Sequence, residues 1–480
     1  MPIDLDTVFN PSSIAVAGAS ESPEKQGHTY FRNLLDNFHG KVYPINIRAE
    51  EILGKRTYKS VRDLPENVDY VISAIPNRDI IDLVEACAAK GVKALHLFTA
   101  RFSETGYEQE VKLERDLLQL AKANGIRIIG PNCMGLYHPK AGISWGRDHP
   151  TRHGTVGVIS QSGGNAGEII SIGANRGLRF SKVVSYGNAL DINEADLMEY
   201  LADDPDTEII GGYIEGVRDG PRFFKALQYA SKRKPVVLLK GGRTRAGTNM
   251  VSSHTASLAG GRQIWQAMCE QTGAINTFSL EELLDTLVAF SFMPPAKGFG
   301  VLVGGGAGGR SVLSADECEE EGLHLAPIPD DIRSALVSQD PFFGPWVMNP
   351  VDGSIMGGSA LQPHEVIELI AKSPNYDLII NNISAGGPGS SVDPQREQRA
   401  SRMIDHTVEI MRNLGKPIAI VLAEFIPEDE SQLHAAQEIR NRCIQEGLAV
   451  FPSIGRASRA VQRLVRYYRH RDSVPSGQGS

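Results

Sequence analysis

Cysteine is scarce in this chain of 480 residues. Its five cysteines, Cys87, Cys133, Cys269, Cys318 and Cys443, are scattered, and none forms a C-x-x-C pair. That pattern excludes a disulfide framework and a thiolate zinc site, and it fits a reducing cytoplasm. No metal-ligating set is expected on the chain. An excess of basic charge is also missing. Lys and Arg number 49 against 57 acidic residues, a formal net charge of −8. A nucleic-acid binder needs a basic face to neutralise phosphates, so that class is excluded. Long apolar runs are absent. The most apolar stretches, such as Val236 to Leu239, are strand-sized and far too short to span a bilayer. The opening MPIDLDTVF has neither a basic n-region nor an apolar h-region, so no secretory signal is expected.

Glycine, by contrast, is abundant at 49 residues, and many glycines directly follow β-branched apolar runs. Such runs read as strands that end in tight turns and feed helices. A first block reads SSIAVAGAS, KVYPIN, DYVISAIP, ALHLFTA and RIIGPN, with helical stretches at Asp79 to Lys90 and Glu108 to Asn124. Near-continuous apolar strands alternating with amphipathic helices predict a parallel sheet covered on both faces. Lys140 to Gly154 reads as a linker. A second block carries TVGVISQ, FSKVVSYG, EIIGGYIEG and PVVLLKGG and closes with a helix near Leu280 to Phe290. MPPAKGFG, Met293 to Gly300, marks the next boundary. A third block carries GVLVGGGAGG, YDLIINNIS, KPIAIVLAE and LAVFPS. The expected fold is therefore α/β: three doubly wound domains in tandem over 1–146, 152–292 and 297–468, with a disordered tail at 471–480. In such sheets ligands bind beyond the carboxyl ends of the strands.

Several strand ends carry residues suited to that role. AVAGASESPEKQG places Gly18 and small neighbours where backbone N–H groups approach a phosphate at a helix start. It is not a G-x-G-x-x-G, and a plain tight turn is the competing reading. Asn46 and Arg48 follow the next strand, where a dinucleotide-binding dehydrogenase carries an acid; Arg48 reads as a phosphate contact or a solvated surface arginine. Ser73 to Pro76 (SAIP) and Gly130 to Gly135 (GPNCMG) end two further strands. Proline stops the strand there, and Asn132 offers both a donor and an acceptor. Cys133 has no matching histidine by spacing and reads as a buried structural thiol rather than a nucleophile.

In the second block, SQSGGNAGE (Ser160 to Glu168) opens a helix. Its N–H groups, dipole and hydroxyls form an anion site, and Ser160 or Ser162 can also serve simply as a cap. Leu238 to Gly260 runs from a strand into a long polar loop holding Lys240, Arg243, Arg245 and, among serines and threonines, His254. A neutral imidazole with room around it is a competent nucleophile, provided that a carboxylate holds its tautomer. Glu215, at the end of EIIGGYIEG, is the candidate; a helix-capping role is the alternative. Val303 to Gly322 supplies another glycine-rich cradle but lacks the P-loop Lys–Ser/Thr ending.

Together VAGAS, PINI, SAIP, GPNCMG, SQSGG, K-G-G-R-T…SHTASLAG, GGGAGG and NPVDG (Asn349 to Gly353) resemble the α subunit of the NDP-forming acyl-CoA synthetases, relatives of succinyl-CoA synthetase. The resemblance covers roughly residues 8 to 465. It implies a CoA-binding Rossmann-like domain followed by two flavodoxin-like domains. CoA would lie along Gly18, Ala19, Ser20, Asn46, Ser73, Ile75, Pro76 and Asn132. His254 would carry a phosphoryl group oriented by Glu215. Phosphate and acyl group would be held by Ser160, Gln161, Ser162, Gly163 and Gly164 on one side and by Gly305, Gly306, Ala307 and Gly308 on the other. The family makes acyl-CoA, ADP and phosphate from acid, ATP and CoA through phosphohistidine and acyl phosphate.

The chain departs from the family in carrying Ala256 after SHT and PINI in place of PINP. It also has no segment resembling the family's ATP-grasp domains, so the resemblance implies that ATP and Mg²⁺ bind on a separate β subunit in a cytoplasmic hetero-oligomer. An ATP-independent CoA-linked acyltransferase and a non-catalytic CoA-binding module are the alternatives. A dehydrogenase lacks its fingerprint here.

Overall fold

The computed structural model describes residues 5–255, 261–306, 308–343, 347–352, 361–383, 394–423 and 430–473. The chain divides into two compact units, Met1–Leu283 and Leu284–Ser480, each with its own sheet system. Most of the expected tail, residues 474–480, lies outside the described residues.

The first unit holds two sheets. In the first, β1 (Ser13–Ala17) pairs in parallel with β2 (Lys41–Ile45), whose chain continues into a short hairpin of β3 (Glu51–Ile52) and β4 (Lys55–Arg56). β5 (Tyr70–Ser73), β6 (Ala94–Leu97) and β7 (Arg127–Ile129) extend the sheet on the other side of β1, giving the order β2-β1-β5-β6-β7. These are the apolar runs read from the sequence. Every residue of β1, β5 and β6 is buried, as a parallel sheet covered on both faces requires. The helices that cover it, Ile80–Ala89 and Glu108–Ala123, fall within the predicted stretches. Strand order reverses between β1 and β5, and that switch opens a crevice at their carboxyl ends.

The second sheet has the order β13-β12-β11-β9-β10-β8. Its parallel strands are β9 (Val156–Ser160), β10 (Phe180–Ser185), β11 (Ile209–Ile214), β12 (Val236–Lys240) and β13 (Ile275–Thr277). The antiparallel edge strand β8 (Gly135–Tyr137) comes from the end of the first block and begins on the last glycine of GPNCMG. The switch here lies between β9 and β11, so the ends of those two strands frame the second crevice.

The second unit carries four parallel strands in sequence order: β14 (Val301–Gly304), β15 (Leu378–Asn382), β16 (Ile418–Val421) and β17 (Ala449–Phe451). They match the four runs read from the third block. On the free side of β14, His324 and Val351 form single parallel bridges with Gly300 and Gly304. Asn349 reinforces that edge: its amide donates to the carbonyls of Val301 at 2.8 Å and Ala326 at 3.1 Å, and its Oδ1 accepts the N–H of Val303 at 3.0 Å. Each sheet with its helices is one α/β layer system, the fold class expected from the sequence.

Candidate functional site

The first crevice is built from strand ends tied to one another. After β1, Gly18 adopts φ +89° and its N–H donates to the carbonyl of Ile45 at 3.0 Å. A Cβ at this position would stand 2.6 Å from the carbonyl oxygen of Ala74, so only glycine lets the VAGAS turn lie against the SAIP turn. Ser73 is fully buried, and its hydroxyl shares a hydrogen bond with Thr99 at 3.0 Å; Thr99 donates in turn to the carbonyl of Ile75 at 2.8 Å. Pro76 is exposed beyond it. Asn132 is in the left-handed region at φ +57°, and its N–H donates to the carbonyl of Thr99 at 3.0 Å. Asn46 donates to the carbonyl of Ala19 at 2.8 Å, and its Oδ1 accepts the N–H groups of Arg48 and Ala49 at 2.8 and 3.0 Å. The carbonyl of Ser20 meets the ring of His28 at 2.9 Å. The structure thus brings the sequence-predicted residues Gly18, Ala19, Ser20, Asn46, Ser73, Ile75, Pro76 and Asn132 to neighbouring turns of one sheet edge. Asn46 is used there to shape the loop.

Cys133 is a structural thiol. It is 4% exposed, its Sγ faces the carbonyl of Leu97, and burial pushes its pKa far above the usual thiol range. The His96 ring contacts the carbonyl of Cys133, and burial holds that imidazole down at about 4.

The second crevice follows without a break. Gly163 sits against Met134 of GPNCMG so closely that a Cβ would stand 2.6 Å from the Met134 side chain. Ser162 caps the helix Gly163–Asn175, its hydroxyl accepting the N–H of Asn165 at 3.3 Å. Ser160 is fully buried and donates to the carbonyl of Ser162 at 2.7 Å. Both hydroxyls therefore brace the turn. The N–H groups of Gly163 and Gly164, at a helix start without helical acceptors, remain the donors for an anion.

Gln161 spans the switch point. Its Oε1 accepts the N–H groups of Glu215 and of Gly216, the latter at 2.8 Å. Glu215 is 6% exposed. Its Oε1 accepts the hydroxyl of Tyr213 at 3.1 Å, whereas Oε2 is buried with no hydrogen-bond partner. Lys240, which composition placed only in a polar loop, ends β12 as a buried ammonium. It donates to the carbonyls of Glu215 at 2.6 Å and Gly241 at 2.5 Å, and burial lowers its pKa to about 8 against the opposing pull of Glu215.

The polar loop expected after β12 is largely helical. Thr244 accepts the N–H of Gly247 at 3.1 Å, and the helix Arg245–Thr255 follows, packed against the turn Ser103–Thr105. A threonine oxygen that satisfies one of the orphan N–H groups at the helix start offsets the poor helix propensity of this stretch. The backbone at His254 belongs to this helix. Its side chain and residues 256–260 lie outside the described residues.

In the second unit, Gly305 (φ +78°) and Gly306 (φ +94°) turn the chain from β14 into the helix Gly308–Glu320. A Cβ on Gly308 would sit 3.4 Å from a carboxylate oxygen of Asp352, so an acid of the NPVDG segment already lies beside this helix start. Ala307 lies outside the described residues.

Similarity to known proteins gives these α/β sheets, the second with a helix start and a buried carboxylate at its switch point, their class: a CoA-linked ligase. Residues 12–139 match a CoA binding domain, and residues 153–290 match a succinyl-CoA ligase like flavodoxin domain. The chain is 37% identical to the α subunit of acetate–CoA ligase [ADP-forming] II from Pyrococcus furiosus, over 89% of this chain and 92% of that one. It is 40% identical over 67% of its length to acetate–CoA ligase [ADP-forming] from Methanocaldococcus jannaschii, of which it covers 45%. The dinucleotide-forming acetyl-coenzyme A synthetase 1 of Ca. Korarchaeum cryptofilum, solved with phosphate and ADP, superposes with a TM-score of 0.82 at 30% identity over 99% of both chains. The chain belongs to the α subunits of the ADP-forming acyl-CoA ligases, the NDP-forming acyl-CoA synthetases. No helix among the described residues is long and apolar enough to cross a membrane.

Proposed function

We propose that this chain is the CoA-binding, acyl-activating half of a carboxylate–CoA ligase that converts an acid, ATP and CoA into acyl-CoA, ADP and phosphate. The observation that carries the reading is Glu215: a buried carboxylate oxygen without a partner, facing the strand switch beside the SQSGG helix start. A free acceptor at that place suits an imidazole N–H whose other nitrogen carries a phosphoryl group, the role the family resemblance gives to His254. The N–H groups of Gly163 and Gly164 suit the phosphate of an acyl phosphate, and the turns at Gly18, Ser73 and Asn132 suit CoA. Gly305, Gly306, Ala307 and Gly308 are assigned to phosphate as a second cradle.

The nucleotide step is assigned to a separate ATP-grasp β subunit holding ATP and Mg²⁺. The relative named a subunit and the M. jannaschii chain, about one and a half times as long since 325 matched residues are 45% of it, support that division. Among the described residues no group of three His, Cys, Asp or Glu side chains is placed to hold a metal ion. Five buried free cysteines suit the cytoplasm.

The test is phosphoryl labelling. With its β subunit and γ-³²P-ATP, the chain takes up label in an acid-labile, base-stable bond, the stability pattern of a phosphoramidate. The label disappears in His254→Ala. Undiminished labelling of that variant overturns the reading. Acyl transfer without ATP and without label returns the ATP-independent acyltransferase.

A further inference from the structure

Lys240 is a buried cation whose hydrogen bonds go to no acid. It ends β12 at 3% exposure, and its Nζ donates to the carbonyls of Glu215 at 2.6 Å and of Gly241 at 2.5 Å. Among the described residues no carboxylate forms an ion pair with it. Two charged groups face it, Glu215 from the end of β11 and Arg243 from the chain that follows β12, and the ring of Trp265 lies 5.8 Å from its Nζ. Burial lowers its pKa to about 8; Glu215 pulls upward against that, and Arg243 adds to it. Burying an ammonium costs far more than burying a neutral donor, and a neutral donor would close the same turn. The charge therefore has a use beyond the turn.

Glu215 supplies that use. The ends of β11 and β12 are in register, Ile214 beside Lys240, and the N–H of Gly241 donates to the carbonyl of Ile214 at 2.9 Å. A Cβ on Gly241 would stand 2.7 Å from the Tyr213 hydroxyl and 3.2 Å from Cγ of Glu215, so the turn after Lys240 lies directly against the carboxyl arm. Oε1 of that arm accepts the Tyr213 hydroxyl, and Oε2 is buried without a partner. A buried ammonium on the next strand, free to move, would close on such an oxygen as an ion pair. Two carbonyls hold it back instead. Oε2 stays open for an imidazole N–H, and the main chain that bears it is fixed by charge-assisted bonds, which are shorter and stronger than neutral ones. A deprotonated amine loses the charge and with it the strength of those bonds.

We infer that Lys240 is a positioning residue of the phosphoryl step: its charged bonds to the carbonyls of Glu215 and Gly241 fix the carboxyl arm that receives the imidazole, and the step needs Lys240 protonated. The inference rests on the phosphohistidine reading above and adds to it a residue and a limit on pH.

The rate of acid-labile labelling from γ-³²P-ATP, measured from about pH 6.5 to 9.5 on the complex with the β subunit, tests it. In the unaltered complex the rate falls as pH rises through about 8. Lys240→Met labels about ten- to hundredfold more slowly at pH 7, the worth of hydrogen bonds made by a charged group, and its rate no longer falls near pH 8. Lys240→Arg keeps a cation that does not titrate, so it recovers part of the rate and holds it to the alkaline end. CoA affinity is unchanged in both, and melting temperatures check folding. A purely structural lysine predicts instead an alkaline fall that stays in place in the variants, and that result overturns the inference, as does full-rate labelling by Lys240→Met. Should Lys240→Met fail to fold, the unaltered complex and Lys240→Arg decide: a rate independent of pH in the first, or the same fall near pH 8 in the second, overturns it. Absence of acid-labile label in the unaltered complex at every pH overturns the phosphohistidine reading itself, a different result from a misplaced pH limit.

Discussion

Gln161 and Gly216 are joined across the switch point of the second sheet by a 2.8 Å hydrogen bond from the Gly216 N–H to the Gln161 side-chain oxygen, and the same oxygen accepts the N–H of Glu215. The turn that offers N–H groups to an anion and the turn that carries the buried carboxylate are thereby one rigid piece. Lys240 holds the other side of Glu215 through its carbonyl.

Removing that clamp exposes its contribution. Gln161→Ala leaves two buried N–H groups without an acceptor, at about 1–3 kcal/mol for each stranded group, so the melting temperature falls by several degrees. Gln161→Glu keeps an acceptor oxygen and recovers most of the loss. Thermal unfolding of the three proteins checks both outcomes. An unshifted midpoint in Gln161→Ala shows that water replaces the side chain.

The crevice proposed for CoA depends on Gly18. Alanine there is strained at φ +89° and drives its Cβ to 2.6 Å from the carbonyl of Ala74, in the wall of the crevice itself. Gly18→Ala pries the two turns apart and weakens CoA binding by about tenfold or more, since about 1–3 kcal/mol of backbone strain falls on the bound geometry. Calorimetry with CoA measures the loss.

The strands and the two glycine-rich crevices are legible in the sequence because most of the parallel strands are apolar runs and several of them, such as β1, β7, β12 and β14, run into or end on glycine. β8 is not: it begins on the last glycine of GPNCMG, and only the fold reveals that its three residues close the edge of the second sheet. Lys240 looks like a loop polar until the strand ends fix its neighbours and it proves to be a buried ammonium between two carbonyls; Gln161, read as a phosphate and acyl contact, spends its side-chain oxygen on the N–H groups of Glu215 and Gly216. The helix Arg245–Thr255 escapes a reading by propensity because glycine, serine and threonine dominate it and a single threonine oxygen starts it.

Acid acts on the first unit through its buried histidines. His96 and His138 are 1% and 2% exposed, and burial lowers both to about 4. The unfolded chain binds these protons near pH 6.5 and the folded chain only near 4, so their contribution is present above pH 6.5 and lost as pH falls toward 4. At about 1.4 kcal/mol per pKa unit, each costs on the order of 3 kcal/mol by pH 4. Urea unfolding at pH 7 and pH 4.5 shows the loss, and His96→Gln reduces its pH dependence. A pH-independent midpoint contradicts the buried neutral imidazoles.

The last prediction concerns Glu215. Its Oε1 is taken by the Tyr213 hydroxyl and its backbone by Gln161 and Lys240, so the side chain is fixed, with Oε2 as the only carboxylate oxygen left for an incoming donor. Glu215→Gln keeps the shape, the Tyr213 contact and the clamp but removes the negative charge that stabilises a cationic imidazole adduct. It also places either a donor or a weaker acceptor where an imidazole N–H must bind. On the proposed reading, phosphorylation of His254 in the complex with a β subunit slows by about 10²–10⁴-fold, the range for a positioned acid or base. CoA affinity and melting temperature stay unchanged, because the CoA turns lie on the first sheet. The pair of readouts separates the roles. A helix-capping Glu215 gives the reverse pattern, a lowered melting temperature with nearly full labelling rate, and that result would remove Glu215 from the chemistry.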